Sequence, residues 1–216
     1  MESPKPLVNL DGRPMIKRLI DIFLACHAEE ISIIVNEEMA EVRAYLESLE
    51  LPVPLHLTVK STPSSMHSLY EVTKPWRGGE CKFIATTVDT IFRQADFEAY
   101  ASDYQLAKAG GMMAVTPYID DEKPLYVATD SDMRITAFCD AMQPGIKYVS
   151  AGIYGLSEAA FPVLDRCLAA GVSHMRNFQR ALLQDGILLH AYDLGKVIDV
   201  DHAGDIEKAR ALISTF

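Results

Sequence analysis

The sequence predicts an α/β domain on a mainly parallel sheet, and three observations carry that reading. Short apolar runs alternate with amphipathic segments of 3–4 periodicity through the first half of the chain, the pattern of strands crossing over through helices. The 216 residues show no composition break and suit one substantial domain, expected to span 1–216. Hydrophobic residues make up 49% and charged residues 23%, the balance of an ordinary globular protein.

Taken in order, Arg13–His27 reads as a helix, with Met15, Ile16, Leu19, Ile20, Phe23 and Leu24 on one stripe. Ile31–Asn36 reads as a strand buried on both faces. Glu37–Leu49 is a helix ended by Pro52-Val53-Pro54, His56–Lys60 a strand, and a helix starts near Ser64 or Ser65 and runs to about Thr73. Lys82–Val88 is a second buried strand and Asp96–Ala109 a helix. The middle then changes character. Met112–Tyr118, Leu125–Thr129, Arg134–Phe138 and Lys147–Leu156 are strands with little room for helices between them, which predicts mixed or antiparallel pairing there. Glu158–Ala170 and His174–Gln184 are helices, Ile187–Tyr192 and Lys196–Val200 strands, and Asp205–Ile213 the closing helix.

Charge and composition exclude several functions. A net charge of −10 argues against nonspecific nucleic-acid binding, which needs clustered Lys and Arg. An anionic small substrate would need a local positive site made of a few basic side chains, helix N-termini or a cation. No apolar run reaches membrane-spanning length, and Met1–Lys5 lacks the apolar core of a signal peptide. Cys26, Cys81, Cys139 and Cys167 are far apart, as expected for free thiols in a cytoplasmic protein. His67, His174, His190 and His202 have no zinc spacing, and Trp76 after Pro75 reads as packing.

Two segments carry chemistry on their own residues. In Ile198-Asp199-Val200-Asp201, carboxylates at i and i+2 share one face of a strand. Such a pair suits Mg²⁺, although aspartates at a strand end also serve as plain turn residues. Asp205 stands where the next helix begins and is expected to cap it. At the other end Lys5 lies between Pro4 and Pro6, which hold its backbone extended. Asp11-Gly12 is a turn, and Pro14 sits in the first turn of the helix that follows.

These segments resemble the nucleotidyltransferase superfamily that makes nucleoside-diphosphate sugars and related activated compounds. Lys5 matches the lysine of its phosphate-binding signature, with Gly12, Pro14 and Met15 matching the residues after it. Phe83–Phe92 resembles the strand ending in the first metal-binding aspartate, here Asp89. Tyr148–Tyr154 resembles the strand lining the sugar or acceptor pocket, through Gly152 and Tyr154. Asp199 falls in the second metal position, with Asp201 as a candidate partner. Ser61–Leu69 resembles the base-contacting segment, with Ser64, Ser65 and Ser68 as candidates; an ordinary helix cap explains the same serines.

The resemblance implies a three-layer α/β/α sandwich, Rossmann-like, of the nucleotide-diphospho-sugar transferase (GT-A-like) type with a mostly parallel mixed sheet. It implies NMP transfer from a nucleoside triphosphate to a sugar 1-phosphate or small phosphorylated acceptor, with Mg²⁺ on Asp89 and Asp199, and Lys5 on the phosphates. No nucleic acid or membrane partner is expected.

The departures are as informative. Family members place a strand and a glycine-rich loop ahead of the lysine segment, and neither precedes Lys5 here. Their loss from mid-sheet is expected to strip two neighbouring strands of hydrogen-bond partners, and a late start-codon assignment or truncated gene is the favoured explanation. The family's Glu-Lys-Pro segment has no match at Phe138–Met142. With the Ile198–Asp201 ending, this resembles the branch that activates phosphocholine-like acceptors with CTP more than the hexose branch. A truncated, non-catalytic binder is the alternative expectation, and a glycosyltransferase of the same general fold a third.

Overall fold

The computed structural model describes residues 4–119 and 123–214, so Ser3 of the lysine segment lies outside the described residues. The flanking prolines do not hold Lys5 extended: Lys5–Leu7 makes one 3₁₀ turn, closed by the Leu7 N–H on the Pro4 carbonyl at 2.8 Å, and Asn9–Leu10 (β1) pairs antiparallel with Arg13–Pro14 (β2). The two-residue connection takes positive φ at both Asp11 (49°) and Gly12 (85°), the conformation a tight hairpin demands. Because Arg13 and Pro14 complete this hairpin, the first helix is Met15–Ala25 (α1), with Pro14 as its N-cap rather than inside its first turn.

The wound half follows as Ile31–Val35 (β3), Ala40–Glu47 (α2), Leu55–Val59 (β4), Ser65–Val72 (α3), Lys82–Thr86 (β5), Thr90–Ile91 (β6) and Gln94–Leu106 (α4). The second half is Gly111–Thr116 (β7), Tyr126–Thr129 (β8), Ile135–Cys139 (β9), Tyr148–Ser157 (β10), Ala160–Ala169 (α5), Met175–Gln184 (α6), Leu189–Asp193 (β11), Ile198–Asp199 (β12) and Ala203–Ile213 (α7).

Pairing is mixed. β3 runs parallel to β4, and β7 parallel to β11. The long strand β10 pairs antiparallel with β7 along one edge; on the other edge it pairs with β8 through Tyr148–Val149 and with β5 through Ile153–Ser157. Between these two stretches the β10–β7 register shifts, and Gly152 there has φ +72°. A bulge of this kind bends a strand and re-aims its side chains. β6 pairs antiparallel with β12.

The layers can be read from alternation along the strands. Phe83, Met113 and Val115 pack with α3, α5 and α6, whereas Ile84, Met112 and Ala114 pack with α1 and α4. Ile31 and Val35 join Ile16 and Ile20 of α1 and Val42 and Leu46 of α2. Successive residues of a strand point to opposite faces, so the sheet is sandwiched between two helical layers, as the resemblance implies.

Two expectations change in detail. Ile31–Asn36 and Lys82–Val88 read as strands buried on both faces, yet Ser32–Ile34 and Ile84–Thr86 are only half-buried. Among the described residues β3 has a ladder only with β4, and β5 only with β10, so each keeps one open edge. Asp205 does not cap α7 from outside. His202 is the N-cap, and Asp205, inside the first turn, accepts from the His202 N–H at 2.9 Å, a capping box. No helix of the described residues is long and apolar enough to cross a membrane.

Candidate active site

The elements converge on one rim, just past the carboxyl end of β5. Lys5 Nζ donates to Asp89 Oδ2 at 2.7 Å and to Asp201 Oδ1 at 2.9 Å. The stiff Pro4–Pro6 turn carries the ammonium to that position, and Pro6 is buried beneath it. Asp89 follows β5 through Thr87 and Val88. The β6–β12 ladder, which aligns Asp199 with Thr90, brings the C-terminal carboxylates alongside. The Val200 N–H donates to the Asp89 carbonyl at 3.0 Å, fixing the two segments against each other.

The electrostatics follow from this geometry. Partial burial works against the Lys5 ammonium, but hydrogen bonds and charge from Asp89 and Asp201 outweigh it and hold its pKa above the ordinary lysine value. Burial likewise works against the Asp89 carboxylate. Its bond to Lys5, helped by Thr87, outweighs that and holds it below the usual carboxylate range. Asp89 is shielded, whereas Asp201 has a side chain 65% exposed.

The rim opens on a cleft of about 560 Å³ whose walls include Asp89, Asp199, Asp201, Gly152 and Tyr154. Its size suits a small-molecule site. Gly152 has the left-handed backbone that disfavours a side chain, and a Cβ there would lie 3.5 Å from Thr90 Oγ1. Burial pushes the Tyr154 phenol up to about 12; the Ser150 hydroxyl pulls against this and the charge of Asp199 adds to it.

The serine segment divides. Ser65 and Ser68 line the cleft, with Ser68 Oγ 2.6 Å from Thr62 Oγ1. Ser64 is the N-cap of α3; its hydroxyl accepts from the His67 N–H at 3.5 Å and lies 2.9 Å from His67 Nδ1, so capping occupies it. Trp76 packs 6.0 Å from the Phe83 ring and also faces the cleft. Arg13 is two-thirds exposed and reaches Asp21 at 3.4 Å. Sequence reasoning passed over Thr87 and Thr90, whose hydroxyls lie 2.9 Å apart beneath the rim; the threonines flanking Asp89 were the available signal.

Among the described residues no three His, Cys, Asp or Glu side chains form a ready metal cage. Instead Asp89 and Asp201 already surround one positive charge, the Lys5 ammonium. Mg²⁺ commonly takes one or two carboxylates and completes its shell with phosphate oxygens and water. This donor set fits such a partial site, which Asp89, Asp199 and Asp201 could hold.

The fold is shared with solved structures. A putative glucose-1-phosphate thymidylyltransferase from Bacillus anthracis superposes with a TM-score of 0.82 at 21% identity, covering 99% of this chain and 88% of that one. The inositol-1-phosphate CTP transferase from T. maritima gives 0.76 at 15% identity, covering 98% and 89%. A nucleoside-diphosphate-sugar pyrophosphorylase from Vibrio cholerae gives 0.70 at 14% identity, covering 98% and 93%. No curated protein sequence matches the chain. Residues 1–182 match the family described as the MobA-like NTP transferase domain.

Proposed function

Since the chain belongs to the MobA-like NTP transferase domain family, we propose that it moves an NMP group from a nucleoside triphosphate to a sugar 1-phosphate or small phosphorylated acceptor. The observation that carries this reading is the Lys5–Asp89–Asp201 cluster at the mouth of a cleft that also presents Gly152, Tyr154, Ser65 and Ser68.

An acceptor phosphate oxygen attacks the α-phosphorus, the new P–O bond forms, and pyrophosphate leaves. This chemistry asks the protein for alignment and charge neutralisation. Lys5, once released from Asp89 and Asp201, stabilises charge on the phosphates with a compact ammonium. Ser65 and Ser68 face the base. Gly152 lets the β10 backbone approach the acceptor, and Tyr154 forms the acceptor wall. Asp89, Asp199 and Asp201 are the residues that would hold Mg²⁺, which when bound would offset the charge of the phosphate oxygens. We assign the reaction to the cytoplasm, where nucleoside triphosphates are supplied.

The alternative is a relative that binds a ligand or partner without turnover. One observation favours it: the cleft is walled by β3 and β5, each of which has a ladder on one edge alone among the described residues. The test is a pyrophosphate-release assay with each common triphosphate, against sugar 1-phosphates and phosphocholine, with Mg²⁺. Pyrophosphate formation dependent on both substrates supports the transferase. Nucleotide binding in calorimetry without turnover supports the alternative.

A further inference from the structure

We infer that the hydroxyl pair of Thr87 and Thr90 reads the acceptor by accepting hydrogen bonds from it, so that the acceptor is a phosphate ester carrying a free O–H or N–H near its phosphate. This rests on the transferase reading above and narrows its substrate. The two hydroxyls lie 2.9 Å apart. Thr90 is 3% exposed, yet it lines the cleft together with Thr87. The β6–β12 ladder aligns Thr90 with Asp199, and Asp89 stands just before it in the chain. The pair therefore sits at the foot of the carboxylates on the rim.

Proton counting fixes the polarity of the pair. A hydroxyl has one proton to give and otherwise only accepts. Asp89 is ionised against Lys5 and carries no proton of its own. Burial works against that charge, and the Thr87 hydroxyl is among the groups that support it, which directs the Thr87 proton towards Asp89. With that proton committed, the bond between the two hydroxyls is donated by Thr90. Among the described residues the Thr90 hydroxyl bonds to Thr87 alone. What the pair still offers a ligand is lone pairs without a proton. A cation taking the place of Lys5 would leave Asp89 equally unprotonated, so the polarity would not reverse.

The β10 strand leaves the approach open. A Cβ on Gly152 would lie 3.5 Å from Thr90 Oγ1, so a larger residue there would cover the hydroxyl. A phosphate oxygen facing the pair would set lone pair against lone pair. A trimethylammonium group would bring charge but no proton. An alcohol or a primary ammonium satisfies the pair, and a shielded acceptor left unpaired costs affinity. This polarity weighs against the phosphocholine-like acceptors that the Ile198–Asp201 ending resembles.

The experiment measures pyrophosphate release with Mg²⁺ and each common triphosphate against glucose 1-phosphate, phosphoethanolamine and phosphocholine. It compares the wild type with Thr90→Val and Thr90→Ser. The last two acceptors are both cationic and differ in whether the nitrogen carries protons. Expected is a kcat/KM for glucose 1-phosphate or phosphoethanolamine at least about tenfold above that for phosphocholine, the worth of one hydrogen bond. Thr90→Val should raise the KM for that acceptor by about tenfold with the KM for the triphosphate unchanged, and Thr90→Ser should restore it. Phosphocholine used as well as the other two overturns the inference, as does an acceptor KM that Thr90→Val leaves unmoved. Thr90→Ser as impaired as Thr90→Val also overturns it, since packing of the methyl group would then be the cause. If no acceptor releases pyrophosphate, the transferase reading fails by itself, and calorimetric titration of the three acceptors with Mg²⁺ and nucleotide present decides the inference separately. Tighter binding of the O–H or N–H acceptors, lost in Thr90→Val, sustains it; equal or absent binding overturns it.

Discussion

Lys5 and Asp89, 84 positions apart, are joined by a 2.7 Å ammonium–carboxylate bond, and Asp201 grips the same ammonium at 2.9 Å. The proposed phosphate ligand is therefore held by the proposed metal ligands. A divalent cation entering between the carboxylates must displace Lys5, and the displaced ammonium becomes available to phosphate.

Lys5→Ala should act in opposite directions on the two ligands. Removing the competing charge should tighten Mg²⁺ binding in the absence of nucleotide by roughly tenfold, since a unit charge a few ångströms away is worth about 1 kcal/mol or more. Nucleotide binding should weaken by about 10- to 100-fold, the worth of a charge-assisted bond of roughly 1.5–3 kcal/mol. Lys5→Arg should recover part of the nucleotide affinity only, because a planar fork does not replace a compact ammonium. Calorimetric titrations with Mg²⁺ alone and then with nucleotide separate these effects. Equal Mg²⁺ affinity in wild type and Lys5→Ala would show that the carboxylates holding Lys5 are not the metal site.

The two β10 glycines should separate site from core. A Cβ on Gly155 would lie 2.8 Å from Tyr100 Oη, 2.9 Å from Tyr104 Cγ and 3.0 Å from the Met112 carbonyl. Gly155→Ala should therefore cost about 2–3 kcal/mol through overpacking, a Tm fall of roughly 4–12 °C, with KM unchanged. At Gly152 the space is ordinary, but φ is +72°. Gly152→Ala should cost about 1–2 kcal/mol in backbone strain and also raise the KM for the acceptor. Thermal melts with steady-state kinetics decide it, and a KM change confined to Gly155→Ala would reverse the assignment.

What the sequence showed was the local chemistry of each segment. Lys5 between prolines, Asp89 after an apolar run and the Asp199–Asp201 pair were all visible as motifs, and periodicity located the helices and strands around them. The Lys5 bond to two carboxylates was not visible, because it depends on the β6–β12 ladder and the hairpin before α1, contacts between distant parts of the chain. Ser64 and Ser65 looked alike in sequence, and only the helix start distinguishes the capping hydroxyl from the one facing the cleft. Apolar runs at β3 and β5 predicted burial on both faces, but burial depends on neighbours, and among the described residues each strand has a ladder on one edge alone.

Cys26 should be slow to alkylate at neutral pH. Burial, reinforced by the charge of Glu98, pushes its thiol up to about 11, whereas an ordinary thiol titrates near 8.5. The thiolate is the reactive form, so at pH 8 about one molecule in a thousand is reactive, against roughly a quarter for a free cysteine. Iodoacetamide labelling followed by peptide mass spectrometry should show Cys26 reacting on the order of 10²-fold more slowly than free cysteine, with the rate still rising above pH 9. A rate that levels off near pH 9 would contradict the raised value.

Asp201 and Asp205 are four residues apart and should fail differently. Asp205 accepts from the His202 N–H at 2.9 Å and the Asp201 N–H at 3.3 Å, and pairs with Lys208 at 3.0 Å. Asp205→Asn weakens the box that starts α7, at a cost of about 0.5–1 kcal/mol and a Tm loss of roughly 1–4 °C. Asp201, by contrast, is mostly exposed and holds only the far side of Lys5, and exposed pairs contribute little to stability. Asp201→Asn should leave the Tm within about 1 °C while lowering Mg²⁺ affinity by roughly tenfold, the loss of one charged oxygen donor. Melting curves and Mg²⁺ titrations on both variants give the comparison. If Asp201→Asn lowers the Tm more than Asp205→Asn and leaves Mg²⁺ binding intact, Asp201 is a structural tether of the N-terminal turn and the metal assignment falls back on Asp89 and Asp199.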